Sequence, residues 1–427
     1  MKRLFTLLSV FLFFALQTFA SSEDLKQKLQ TLQDICEIER LSSDIYSEKY
    51  VIKVKQWLDH KDSTAGSFTQ RVIINHIGFD RPTVLVTEGY GAAYVLRDTY
   101  QEELSRLFNT NVITVEHRYF LESTPEPKNW DYLTVENAVY DLHHITTLLK
   151  AVYPEKWIST GISKGGQTTL FYRSYFPNDV DFSIPYVAPL NRALEDGRHE
   201  FFLQKVGTKK ERKVIGKFQK TILKKRKQIL PLLEQYCKDK ALEFRIPTDE
   251  VLDYCVLEYP FAFWQWGTDI SEVPSSSSKI NKLFDHLMQI SGPTYFAKNQ
   301  PFASFNVQAA RELGYYGYDT TPFRKLLSIE SSKGYFNRVM LPEGLAIQFD
   351  PSLYNYVSSF LENNDPKMIF IYGEFDPWSA TRIPDFEGKQ NLQIYIEPKG
   401  SHKARISTMP EKMQIKITDQ INKWLEE

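Results

Sequence analysis

Along the chain, short apolar runs bounded by turn residues alternate with amphipathic stretches in two separate blocks. In the first block, residues 83–87, 111–116, 157–160 and 182–187 read as strands. Between them, Val135, Val139, Leu142, Ile145, Leu149 and Val152 keep helical spacing, with Thr134 and Asn137 at the start of the stripe. The run 157–160 leads through Gly161-Ile162-Ser163-Lys164-Gly165 into a second predicted helix over 166–176. From about 195 to 334 the alternation stops. That stretch reads as helices with long charged faces and an aromatic cluster, Tyr259-Pro260-Phe261-Ala262-Phe263-Trp264-Gln265-Trp266. Alternation resumes with strands at 368–372 and 392–396. The pattern predicts an α/β fold, a sheet covered by helices on both faces. Residues 21–194 form its first part and 335–427 its second, with 195–334 inserted as a helical lid over the carboxyl ends of the strands.

Composition adds a size and an address. With 427 residues, 42% of them hydrophobic, the chain can bury a large core. Lys2 and Arg3 precede an apolar stretch over 4–16 and then Thr18-Phe19-Ala20, which matches a cleavable secretory signal over 1–20. The apolar run is short for a membrane span, and Gln17 interrupts its end. No cysteine stands directly after the cleavage point to carry a lipid, so the mature protein is expected to be soluble, secreted or periplasmic. Cleavage removes two of 52 basic residues and none of 53 acidic ones, leaving 50 minus 53, or −3. So small a charge gives no global pull toward nucleic acid or anionic lipid. The basic run over 205–227 carries Val214, Ile215, Phe218, Ile222 and Leu223 at helical spacing and reads as a solvated helix face. Of Cys36, Cys237 and Cys255, at least one is unpaired, and the last two are either a bridge or two free thiols. None has metal-ligand spacing, so neither a metal nor an organic cofactor is expected.

The strand, sharp turn and helix around Ser163 would hold its hydroxyl at the carboxyl edge of the sheet, as a nucleophile. A serine hydroxyl is a weak nucleophile and needs a base and a carboxylate, here in the chain order serine, acid, histidine. His402 is the one histidine after His286, and it follows the strand at 392–396. Asp376, on the loop leaving the strand at 368–372, is the expected acid; Pro377 biases it away from helical angles, and Glu374 is the runner-up. Negative charge forming on a carbonyl oxygen needs donors fixed beforehand. The backbone N–H of Lys164 is one by position, and Gly89 or Tyr90, in the glycine-bearing loop after 83–86, is the other. Glu88 beside that loop is a candidate partner for the α-ammonium of a peptide. Glu116 and Arg118 are expected to satisfy one another, His117 is a poorer base than His402, and His143 and His144 are given no role. Most aromatics of the insertion, including Tyr315, Tyr316 and Tyr318, are expected to form its core.

Six pieces together carry a resemblance. They are Thr87-Glu88-Gly89-Tyr90-Gly91, Glu116-His117-Arg118-Tyr119-Phe120, Leu133-Thr134-Val135-Glu136-Asn137-Ala138, Gly161-Ile162-Ser163-Lys164-Gly165-Gly166, Gly373-Glu374-Phe375-Asp376-Pro377-Trp378-Ser379 and Gly400-Ser401-His402. In these the chain resembles the secreted tripeptidyl aminopeptidase family of serine peptidases. It is also similar to lysosomal Pro-X carboxypeptidase and dipeptidyl peptidase II, a sister group. The resemblance implies an α/β-hydrolase fold with a mostly parallel sheet and an inserted helical lid. It also implies Ser163 as nucleophile, Asp376 as orienting acid and His402 as base, acting through an acyl-enzyme on peptides with a free N-terminus. Lys164 stands where the sister group is expected to have an aromatic residue, which argues against carrying over its proline specificity. A secreted esterase or lipase-like hydrolase would use the same triad, and a proline-specific dipeptidyl peptidase or carboxypeptidase is the other alternative. A silent binding protein on the same scaffold is disfavoured, because all three triad residue types are present in order.

Overall fold

The computed structural model describes residues 24–427, so the predicted signal sequence lies outside the described residues. The chain divides into two compact units. The first holds the residues up to 132 together with 136–159 and 178–181; the second holds 133–135, 160–177 and 182–427.

In the first unit, β1 (Ile35–Leu41), β2 (Glu48–Asp59) and β3 (Asp62–His76) pair antiparallel in sequence order. β3 pairs antiparallel with β5 (Asn111–Val115), and β4 (Thr83–Thr87) runs parallel to β5. β4 and β5 are buried at every position, as strands covered on both faces must be, and that is why they read as short, uncharged and mostly apolar runs. β1–β3 are absent from the sequence expectations because polar residues mask them; in β2 and β3, Glu48, Lys49, Gln56, Gln70, Arg71 and Asn75 are all buried. Lys49 is tolerated because its ammonium donates to the carbonyls of Val95 (2.6 Å) and Arg97 (2.8 Å).

Glu116 and Arg118 do not satisfy one another. Glu116 takes Arg71 of β3, the cross-strand neighbour whose carbonyl also accepts the Glu116 N–H at 3.1 Å. Its oxygens accept the Ala92 N–H (2.8 Å) and the Ser123 hydroxyl (3.0 Å) as well. Arg118 forms a two-pronged pair with Asp141, both bonds at 2.7 Å, and caps the carbonyls of Trp57, Leu58 and Tyr132. Sheet pairing, rather than proximity in sequence, chose these partners. Asp141 lies on the helix Val135–Leu149, whose Val139, Leu142, Ile145 and Leu149 are buried; the helix ends before Val152.

β6 (Trp157–Ile162) carries the chain into the second unit. There β7 (Phe182–Tyr186), β8 (Met368–Gly373) and β9 (Leu392–Glu397) run parallel, in that order. Between 195 and 334 the described residues form helices and turns and no strand. The helix Thr248–Trp266 is the centre of this stretch. It is buried on nearly every side. The Tyr259 ring packs on Phe218, centroids 4.6 Å apart and tilted by 35°, and its hydroxyl hydrogen-bonds His286 at 2.7 Å, while Gln219 donates to the Val256 carbonyl at 2.7 Å. Phe218 and Gln219 belong to the helix Lys209–Lys224, whose basic run is a solvated face: Lys213, Lys217, Lys220 and Lys224 are exposed while Ile215, Phe218 and Ile222 are buried. Cys237 and Cys255 are free thiols, and burial pushes the Cys237 thiol up to about 11.

Candidate active site

Ser163 sits at φ 58°, ψ −119°, a conformation a non-glycine residue reaches only under strain of about 1–3 kcal/mol. Three features hold it there. Its N–H donates to Tyr186 O of β7 at 2.9 Å, and its carbonyl accepts the Gln167 N–H at 2.9 Å. The third is Gly166: a Cβ at that position would lie 2.6 Å from Tyr186 O and 2.9 Å from Ala188 Cβ, so the helix Lys164–Tyr175 can approach β7 only with glycine there. The Ser163 side chain is half-buried. Lys164 supplies the first N–H of the helix, at the positive end of its dipole.

Asp376 and His402 are brought together. The His402 Nδ1 lies 2.7 Å from Asp376 Oδ2, and both side chains are buried. Asp376 Oδ1 accepts the Trp378 N–H at 3.1 Å, which fixes the carboxylate plane. A carboxylate on Nδ1 keeps the proton there and leaves Nε2 as the working nitrogen. The two loops are laced by backbone: Phe375 N–H donates to Gly400 O at 2.8 Å, and Glu374 N–H to Glu397 O at 3.0 Å. Gly373 is required at this crossing, since a Cβ would collide with the carbonyl oxygens of Gly400 and Ser401. Glu374, the runner-up acid, is exposed and accepts the Lys399 N–H at 2.7 Å, so it caps the turn before the histidine.

Sequence reasoning missed three supports. The His402 N–H donates to Gln265 O at 2.9 Å, tying the histidine loop to the end of the helix Thr248–Trp266. Trp266 stands edge-on to the His402 ring, centroids 6.0 Å apart at 85°. His199 Nδ1 reaches Pro377 O at 3.1 Å, and its Nε2 lies 3.1 Å from Asn191 Oδ1. Burial pushes His199 down to about 4, against the opposing pull of Asp196. Both tying contacts use backbone oxygens, which every residue carries. The only sequence signal for any of them is the aromatic run 259–266 itself.

Behind Trp378 lies a cage of aromatics. Tyr315 and Tyr316 are buried, and Tyr316 stacks on Phe261 at 3.7 Å. Both rings stand edge-on to Trp378, at 5.4 and 5.2 Å. Inside the cage, Glu258 accepts the hydroxyls of Tyr316 (2.9 Å) and Tyr318 (2.8 Å); burial pushes its carboxyl up to about 7 despite these donors. Lys164, read only as a backbone donor, also buries its side chain. Burial raises the nearby Glu312 to about 7, with Arg311 and Lys164 pulling it back. Glu312 accepts the Val135 N–H at 2.7 Å.

The remaining candidates lie in the first unit. Glu88 accepts the Tyr94 hydroxyl, and Gly89 and Tyr90 occupy the turn that leaves β4. Tyr90 O accepts the His117 N–H at 3.2 Å, and its ring meets Phe120 edge-on at 5.6 Å. Gly91 is there for packing, because a Cβ would strike the Leu121 side chain. His117 Nδ1 lies 2.8 Å from Arg118 O. In the second unit a cavity of about 460 Å³, lined by Arg198, Phe201, Lys205, Glu374, Ser379 and Arg382 among others, includes none of Ser163, Asp376 and His402. Among the described residues no His, Cys, Asp and Glu cluster is placed to hold a metal ion, and no helix is long and apolar enough to cross a membrane.

The family described as PS-10 peptidase S37 matches residues 20–426. The prolyl tri/tetrapeptidyl aminopeptidase of Streptomyces mobaraensis is 28% identical over 386 residues, which span 88% of this chain and 79% of that one. A probable serine protease of Arabidopsis thaliana, EDA2, is 26% identical over 114 residues, 23% of each chain. The solved proline iminopeptidase of Mycobacterium smegmatis matches 91% of this chain and 99% of its own at 13% identity, with a TM-score of 0.37.

Proposed function

From the premise that the chain belongs to the PS-10 peptidase S37 family and is a serine peptidase with an α/β-hydrolase fold, we propose that it is an exported exopeptidase. In this reading it releases short peptides, chiefly tripeptides, from free N-termini through an acyl-enzyme. The observation that carries the reading is the buried 2.7 Å contact of His402 Nδ1 with Asp376, in the same unit as the strained Ser163. His402 Nε2 takes the Ser163 proton as the hydroxyl oxygen attacks the scissile carbonyl, while Asp376 holds the tautomer and faces the positive ring that forms. The Lys164 N–H, the first of the helix that follows Ser163, receives the oxyanion. The proton then passes to the leaving amine, and water repeats the sequence on the ester.

The name of the Streptomyces relative supports the tri- and tetrapeptide product class. Export is supported by the signal pattern over 1–20, and the helical stretch 195–334 is the lid of this reading. The test is a series of peptide amides of two to six residues, each with a free amine and as an N-acetyl copy. Turnover should peak at cleavage after the third residue, and blocking the amine should lower kcat/KM about 100-fold, as expected when a charge-assisted hydrogen bond to the substrate is lost. Equal turnover of blocked and free peptides contradicts the aminopeptidase assignment.

A further inference from the structure

Trp266 is 51% exposed, although it sits next to the imidazole of His402. Its neighbours on the same helix turn, Phe263 and Trp264, are buried and serve the core. The position of Trp266 is fixed as tightly as that of the histidine. Gln265 O accepts the His402 N–H at 2.9 Å; the helix ends at Gly267 (φ 66°), and Thr268 N–H closes the cap on Phe263 O at 3.0 Å. A Cβ at Gly267 would lie 3.2 Å from the Ser401 side chain, so the helix end and the histidine loop touch with no slack. The backbone that carries the indole therefore keeps station with the base.

The chemistry says what passes there. Asp376 occupies Nδ1, so the proton taken from Ser163 leaves from Nε2 to the departing nitrogen. The C–N bond breaks, the acyl group stays on Ser163 Oγ, and the amine that gains the proton belongs to the residue following the cut. That residue must lie against the histidine at the moment of transfer. We propose that Trp266 is the platform for the side chain of this leaving residue, favouring bulky apolar and aromatic side chains over glycine. An exposed indole offers a large apolar face at little conformational cost. The proposal rests on the serine-peptidase reading of Ser163 and His402 and adds to it a specificity for the leaving side.

Acyl transfer to added amines isolates this site from the acylation step. With the full-length mature enzyme and a tripeptide methyl ester, phenylalanine amide or glycine amide competes with water for the acyl-enzyme. The amine nitrogen gives a proton to Nε2 and forms the C–N bond, and Ser163 leaves as the hydroxyl, reclaiming that proton. The ratio of aminolysis to hydrolysis reads binding of the acceptor side chain and is insensitive to a uniform loss of catalytic power. Phenylalanine amide should exceed glycine amide by at least about tenfold. Trp266→Ala should bring that ratio within about twofold, and Trp266→Phe should restore most of it. A ratio unchanged in Trp266→Ala, even with kcat lowered, overturns the proposal and leaves the peptidase reading standing. Failure of the wild-type enzyme to form any acyl adduct on Ser163 overturns both.

Discussion

Asp376 and Glu258 are both carboxylates withdrawn from water in the second unit, and the donors around them differ. Asp376 faces a backbone N–H and the His402 imidazole, which the proposed reaction makes positive. Glu258 faces phenols, which stay neutral, and burial pushes it up to about 7. The first arrangement suits a change of charge, and the second avoids one. Burial alone therefore does not mark a catalytic acid; the partner that can take up a proton does.

Breaking the comparison at its catalytic end should have the largest effect. Asp376→Asn removes the acceptor that holds Nδ1–H, and kcat should fall by about 10⁴-fold with the fold intact, as measured on any cleaved amide. A loss of less than tenfold would mean that the carboxylate does not orient the base. His199 acts at one remove, through Pro377. His199→Ala should lower kcat about tenfold with KM little changed, and His199→Gln, which keeps a donor toward that carbonyl, should recover part of the loss. An equal loss in both variants would make the role one of volume.

At the other end, Glu258→Gln imitates the protonated carboxyl. The carboxyl ionises near 4.5 in the unfolded chain and near 7 when folded, so its contribution to stability is full below pH 4.5 and is lost as pH rises through 7. Wild type and variant should melt together at pH 4.5, and by pH 8 the variant should be the more stable, by up to about 3 kcal/mol. Parallel melting curves across that range would show a Glu258 charged throughout. The smallest effect is expected of Tyr316→Phe, which deletes a donor to Glu258. It should cost about 1 kcal/mol and raise the Glu258 pKa further, because the lost hydroxyl had favoured the ionised form.

The contrast also explains what could be read from sequence. β4, β5, β7, β8 and the elbow at Ser163 are legible because strands buried on both faces are mostly apolar and carry no charge, and because the turn between β6 and the following helix needs its glycines. β2 and β3 escaped because they bury charged residues that find partners only in the folded chain, such as Val95 O for Lys49 and Glu116 for Arg71. In the site, the residue types and their order were visible at Ser163, Asp376 and His402. The ties from Gln265 and to Pro377 were not, since they run through backbone carbonyls. The pairing of Glu116 with Arg118 failed as an expectation for the same reason as β3 did: its solution lies across the sheet.

The most direct test is the site of acylation. Quenching the enzyme within the first turnover of a tripeptide ester and mapping the adduct by mass spectrometry should place one acyl group on Ser163, with none in Ser163→Ala and a strongly slowed appearance in His402→Ala. Undiminished peptide cleavage by Ser163→Ala, or an adduct on any other residue, contradicts the account.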